Sequence, residues 1–197
     1  MDYELIIEII AVITGLLSIW FSYKINILVY PVGMISLAIY IFIFLQNGLY
    51  ANSIINFLYF IISIFGWWNW RRRKAKDEDK SEGLKSVSTS LQVSYLNTIE
   101  RTITIIIAGI SFYIATKFSD NINTLADYIT GILGLGAMLL TAFKKVENWI
   151  LYLVCDIILI PLCICNGLYL TSFQYLGYTI LAVMGYISWS KEAKNHV

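Results

Sequence analysis

Asn148, Trp149, Tyr152 and Asp156 fall on one 100° arc of a helix when successive residues turn by 100°. Two aromatic rings beside an amide and a carboxylate can stack on a flat heterocycle, hold its polar groups and balance a positive charge. Stacking contributes roughly 0.5–1.5 kcal/mol, and a desolvated cation over a ring about 2 kcal/mol. Asp156 stands midway along an otherwise apolar stretch, where an acid costs about 2.5–3.5 kcal/mol on insertion scales. It must therefore face a cavity or a partner, as a site carboxylate or as an internal hydrogen-bonding post. Two further arcs have the same polar, aromatic and small character. One holds Thr171, Tyr175, Tyr178, Ala182, Gly185, Tyr186 and Trp189; the other holds Asn52, Asn56, Tyr59, Ser63, Gly66, Trp67 and Trp70. Helix packing and interfacial tryptophan belts account for Gly66, Gly185, Trp70 and Trp189. Asn52, Asn56, Tyr59, Tyr175 and Tyr178 are candidates for a lined cavity, where amides can both donate and accept.

These arcs sit in a chain whose charged residues make up only 14% of the total, against about a quarter in soluble domains. Ile25 to Trp70 contains no charged residue or histidine over 46 positions. As one helix it would be roughly 69 Å long, about twice a bilayer core, so it must fold back, and Gln46-Asn47-Gly48 is its turn signal. The same reading predicts an all-α membrane protein with seven spans: Leu5–Tyr23, Ile25–Leu45, Tyr50–Trp70, Thr102–Phe118, Leu125–Phe143, Asn148–Cys165 and Leu168–Trp189. A soluble all-α core would lack the polar residues to cover seven buried helices. Asp2 and Glu4 stand where a cleaved leader would carry basic residues.

With the N-terminus outside, thirteen of the fourteen Lys and Arg lie on the cytoplasmic side, and only Lys117 lies outside. The positive-inside rule thus predicts an N-out, C-in protein. Residues 71–101 read as a flexible charged tether with a basic anchor at Arg71-Arg72-Arg73-Lys74.

The word Asn47-Gly48-Leu49-Tyr50 recurs as Asn166-Gly167-Leu168-Tyr169, at an offset of 119. At that offset Ser53, Tyr59, Ile61, Gly66 and Trp70 meet Ser172, Tyr178, Ile180, Gly185 and Trp189, giving nine identities over 24 ungapped positions. This predicts a first three-helix repeat over 1–70, the tether 71–101, a linker helix 102–118, a second repeat over 125–189 and a tail 190–197. An extra helix between two triplets makes the repeats parallel, a transporter plan with the cargo bound between the halves.

Other signals are weaker. Gly131, Gly134 and Gly136 follow no strand and read as close helix packing rather than a nucleotide loop. Cys155, Cys163 and Cys165 with the terminal His196 form neither a metal set nor a catalytic group, so no enzyme and no cofactor is expected. The near-zero net charge gives no field for nucleic acid.

Glu8-Ile-Ile-Ala-Val-Ile-Thr-Gly15, Tyr30-Pro31-Val32-Gly33, Phe65-Gly66-Trp67-Trp68-Asn69-Trp70, Glu147-Asn148-Trp149, Asp156, Ile160-Pro161-Leu162 and Gly167-Leu168-Tyr169-Leu170-Thr171 together resemble the nicotinamide riboside transporter (PnuC) family. The resemblance implies a 3+1+3 SWEET-like fold, a homotrimer in the bacterial inner membrane, and facilitated diffusion of an unphosphorylated vitamin precursor that is trapped by phosphorylation inside. It makes Asn148 and Trp149 substrate contacts. A second Trp is common in the family where Tyr152 stands, Gln where Asn56 stands, and Asp where Asn52 stands. Nicotinamide riboside is the expected cargo, thiamine or riboflavin the alternative, and a non-transporting scaffold built around the 71–101 segment the reading from a different class.

Overall fold

The computed structural model describes residues 2–48, 50–81, 92–167 and 169–195. It consists of α1 (Asp2–Tyr23), α2 (Val29–Gln46), α3 (Tyr50–Ser81), α4 (Thr98–Phe118), α5 (Ile122–Ala142), α6 (Asn148–Cys165) and α7 (Tyr169–Asn195). No strand occurs among the described residues. Among the described residues, six helices, α1 to α6, are long and apolar enough to cross a membrane; α7 is long enough, but Thr171, Gln174 and its tyrosines make it more polar.

Burial is inverted relative to a soluble protein. Ser53, Ser63, Asn69, Thr130, Thr141 and Ser172 are buried, while Ile61, Ile64, Ile157 and Ile180 are 47–66% exposed. This distribution suits hydrocarbon outside and small or polar packing surfaces inside.

The helices form two triplets. Within the first, α2 packs on α1 and α3; within the second, α6 packs on α5 and α7. Two seams join the triplets, α1 against α7 and α3 against α5. α4 lies against α5 and turns Ile103, Ile106, Ile107 and Ile110 outward.

Elements and local bonds recur at the offset of 119. The bounds of α2 and α6 differ by that number, and so do the starts of α3 and α7. Ile25 and Lys144 both have φ +54, and each opens a sharp turn before α2 or α6. Gly48 and Gly167 have φ of +71 and +74, the left-handed region that glycine enters without strain. The preceding Asn47 and Asn166 send their side-chain amides back to the Ile43 and Leu162 carbonyls, at 2.8 and 2.9 Å. Ser36 donates to the Ala11 carbonyl at 2.8 Å, and Cys155 to that of Thr130 at 3.6 Å.

Several boundaries differ from expectation. α2 begins at Val29 rather than Ile25, because the left-handed residue at 25 cannot continue a helix. α3 does not stop at Trp70 but runs on to Ser81, so the first part of the expected tether is helical. α4 begins at Thr98, where Asn97 and Glu100 form a reciprocal capping box. α7 continues through most of the expected tail.

The last part of the tether is fastened rather than loose. Ser94 pairs with the α5–α6 turn, donating to the Lys144 carbonyl and accepting from the Val146 amide at 3.1 and 3.0 Å. Leu96 N–H donates to both Glu147 oxygens at 3.0 Å, Lys145 meets Glu100 at 2.9 Å, and Val93 and Leu96 are buried. Residues 82–91 of the tether, Leu49 and Leu168 of the repeated word, and His196 lie outside the described residues.

Candidate functional site: a polar cavity between the triplets

One end of the bundle carries Asn47 and Asn166; the other carries Trp70, Trp189 and the basic turns. Between the triplets lies a main cavity of about 630 Å³, within the range of small-molecule sites. It extends from Glu8, Phe44 and Thr171 near the Asn47 end to Tyr30, Trp149 and Ser22 near the Trp70 end. A side chamber of about 320 Å³ adjoins it, with Asn52, Asp127, Thr130 and Asp156 in its walls. Asn56, Tyr59, Tyr152, Tyr175 and Tyr178 line both spaces.

Close glycine contacts set the depth of these rings. A side chain at Gly134 would overlap Tyr59, and one at Gly15 would overlap Tyr178. Each tyrosine thereby reaches across a seam into the opposite triplet. Tyr59 donates from its hydroxyl to the Gly131 carbonyl at 3.3 Å, while Gln174 donates to Tyr178 along α7. Within the triplets, Gly66 leaves room for the Tyr30 ring and Gly185 for the Trp149 ring.

The expected site residues divide among these places. Trp149 lies on the main-cavity wall, edge-on to Trp189 at 5.4 Å and tilted to Tyr152 at 6.2 Å. Asn56 holds itself by donating to the Asn52 carbonyl at 2.9 Å. Tyr175 and Tyr178 meet edge-to-face at 5.9 Å. Asp156 faces the side chamber and accepts a hydrogen bond from Thr179 at 3.3 Å.

Asn148 departs from the sequence expectation. It is fully buried, lines neither space, and both atoms of its amide lack a protein partner. The arc argument put it with Trp149, but it is the first residue of α6 and is wholly enclosed by protein. Tyr30, Ser18, Ser22, Thr141 and Gln174, which the helical arcs do not single out, also line the main cavity, as does Thr171 of the α7 arc. Tyr30 was findable, since it stands 119 positions before Trp149.

Among the described residues the lining includes three carboxylates, Glu8, Asp127 and Asp156, and no Lys, Arg or His. Such a cavity stacks rings, hydrogen-bonds hydroxyls and amides, and favours a cation over an anion.

The whole bundle has known counterparts. The profile of the family described as nicotinamide mononucleotide transporter matches residues 5–191. The nicotinamide riboside transporter PnuC of Escherichia coli (strain K12) is 25% identical over 206 residues, covering 95% of this chain and 86% of that protein. PnuC of Neisseria mucosa is 28% identical over 199 residues, covering 95% and 73%. A crystal structure of the vitamin B3 transporter PnuC superposes with a TM-score of 0.73 at 23% identity, covering 97% of this chain and 83% of that one. With a profile match across nearly its full length, this membrane protein belongs to the nicotinamide mononucleotide transporter family.

Proposed function

We propose that the protein carries nicotinamide riboside across the bacterial inner membrane by facilitated diffusion, with phosphorylation inside trapping the cargo, and that it is a transporter rather than an enzyme. The observation behind the choice of cargo is the charge of the cavity. The family description names a phosphorylated mononucleotide, whereas the relatives are named for the riboside. Three carboxylates without a lining cation would repel a phosphate and favour an uncharged sugar joined to a pyridinium. Trp149, Tyr152, Tyr175 and Tyr178 would stack on the ring, Asn52, Asn56 and Tyr59 would meet hydroxyls or the carboxamide, and Asp156 would face the cation. Asn148 would act from behind Trp149.

In this reading the two triplets are parallel repeats flanking α4, the SWEET-like 3+1+3 plan. The matching helix bounds, turns and side-chain bonds at offset 119 support it. The Trp70 end is cytoplasmic, supported by Lys24, Arg71, Lys144, Lys145 and Lys191 at that end. A homotrimer belongs to the same proposal, and the outward isoleucine face of α4 is free to meet lipid or another copy.

Uptake of labelled nicotinamide riboside into proteoliposomes tests the reading. Uptake above empty vesicles, not competed by the mononucleotide, is the expected result. Thiamine is also a cation that this cavity would accept. Uptake of thiamine without uptake of the riboside would replace the proposed cargo.

A further inference from the structure

We propose that the Trp70 end of the bundle is a gate, closed in this structure, and that its latch is a pair of tryptophan hydrogen bonds across the two seams. Trp70 Nε1 donates to the Ala142 carbonyl at 3.1 Å, and Trp189 Nε1 donates to the Ser22 carbonyl at 3.0 Å. The inference rests on the transport reading, and it gives these tryptophans a role beyond interfacial anchoring.

The lining of the main cavity is better covered at the Trp70 end than at the Asn47 end. At the Asn47 end Glu8 is exposed and Thr171 half-buried, whereas at the other end Tyr30, Trp70, Trp149 and Trp189 are at most 5% exposed. These four rings form the floor. Tyr30 meets Trp70 edge-on at 5.2 Å and 89°, Trp149 meets Trp189 at 5.4 Å and 88°, and the two indoles lie 6.4 Å apart. Cargo entering at the Asn47 end has no way past them unless the seams part at this level.

What holds the seams there is concentrated and matched. Trp70 comes from α3 and bonds to the last residue of α5; Trp189 comes from α7 and bonds near the end of α1. Asn69 adds a second bond to the Ala142 carbonyl at 2.9 Å. Nearer the Asn47 end, the Gln174 side chain of α7 lies against the Tyr40 hydroxyl of α2 across the two triplets. The bundle is therefore fastened most densely at the Trp70 end.

The latch is also suited to release. Both acceptors lie in the last turn of a helix, where carbonyls run short of intrahelical donors; the Ser22 carbonyl keeps the Ile25 amide at 2.9 Å, and both can exchange the indole for water. At the same level Tyr30 Oη, Trp149 Nε1 and the Asn148 amide are buried without a protein partner. Opening would hydrate these groups, which offsets part of the cost of breaking the latch.

The test uses Ser63→Cys, on the cavity wall, in a background with Cys155, Cys163 and Cys165 changed to Ala. A membrane-impermeant maleimide is applied from the Trp70 side of oriented vesicles. Trp70→Phe and Trp189→Phe keep a ring and remove the donor. Each should raise the labelling rate by about fivefold, the factor for one typical hydrogen bond, and the double variant by more. Unchanged labelling in folded single and double variants would overturn the latch.

A second measurement does not depend on those variants folding. Asn69→Cys and Ala142→Cys are bridged with a cleavable bis-maleimide. Bridging should stop riboside uptake, leave riboside binding from the Asn47 side intact, and be reversed by cleaving the bridge. Undiminished uptake in the bridged protein would also overturn the proposal. If the unmodified protein binds no riboside at all, the cargo assignment fails instead, and the labelling experiment still decides the gate.

Discussion

Trp149 lies so close over Gly185 that the glycine's missing side chain is the space the indole occupies. A Cβ there would meet the ring itself, in a helix whose backbone cannot retreat without disturbing α7. Gly185→Ala should therefore destabilise the protein by about 1–3 kcal/mol, the usual cost of overpacking a filled site, and weaken riboside binding with it. Gly109, where an added Cβ meets nothing, is the control, and Gly109→Ala should raise the melting temperature slightly. Thermal unfolding in detergent with and without riboside compares the two. Equal effects would show that the Trp149–Gly185 contact does not set the ring's position.

Trp149 is only 1% exposed and leans on Trp189, so its removal tests packing as well as binding. Trp149→Ala would cost about 3–5 kcal/mol and confuse the two. Trp149→Phe is the cleaner probe. It should leave a folded protein with riboside affinity reduced about tenfold, read by calorimetry, because a smaller ring stacks over less area. Full affinity in this variant would return Trp149 to a purely structural role.

Asp156 lines the side chamber, where its carboxylate would meet a cationic ligand, so Asp156→Asn should selectively weaken cationic ligands. The loss expected for a buried charge pair is about 2 kcal/mol or more, roughly thirtyfold. Dihydronicotinamide riboside, which has the same outline without the positive charge, should lose much less. An equal loss for both ligands would mean that Asp156 acts by holding Thr179 and α7 in place.

Glu147 fastens the end of the tether by accepting from Leu96 N–H with both oxygens and by meeting Arg101 at 3.7 Å. Glu147→Ala should cost about 1–2 kcal/mol of stability. It should also make the 92–97 segment more open to limited proteolysis from the Trp70 side. An unchanged cleavage rate would show that burial of Val93 and Leu96 suffices to hold the segment.

Hydropathy made the helices legible. Lipid demands long apolar runs, and the uncharged stretch from Ile25 to Trp70 could not cross only once. The offset of 119 was legible because Asn-Gly caps and glycine notches tolerate few replacements. The α3 extension was not legible, since a helix past the basic residues at Arg71 has no hydrophobic period to reveal it. The fastening of residues 92–97 escaped notice for a similar reason. Its bonds run to a turn about 50 residues away, two of them backbone to backbone at Ser94 and the others through the Glu147 and Lys145 side chains. In the site, an angular arc grouped Trp149, Tyr152 and Asp156 correctly as inward residues. It could not show that Asn148 is buried outside the cavity, because depth along the helix axis is absent from a projection.

The matched positions of the two triplets are not all alike. Val29 faces Asn148 across the offset, Leu37 faces Asp156, and Phe60 faces Thr179. A bundle with interchangeable halves would receive a lopsided molecule equally well in two opposite poses. Glu8 and Asp127 stand in both halves at the same offset, whereas Asp156 and its hydroxyl partner Thr179 belong to one half alone, which would give a cargo with a charged head and a sugar tail one preferred way to lie.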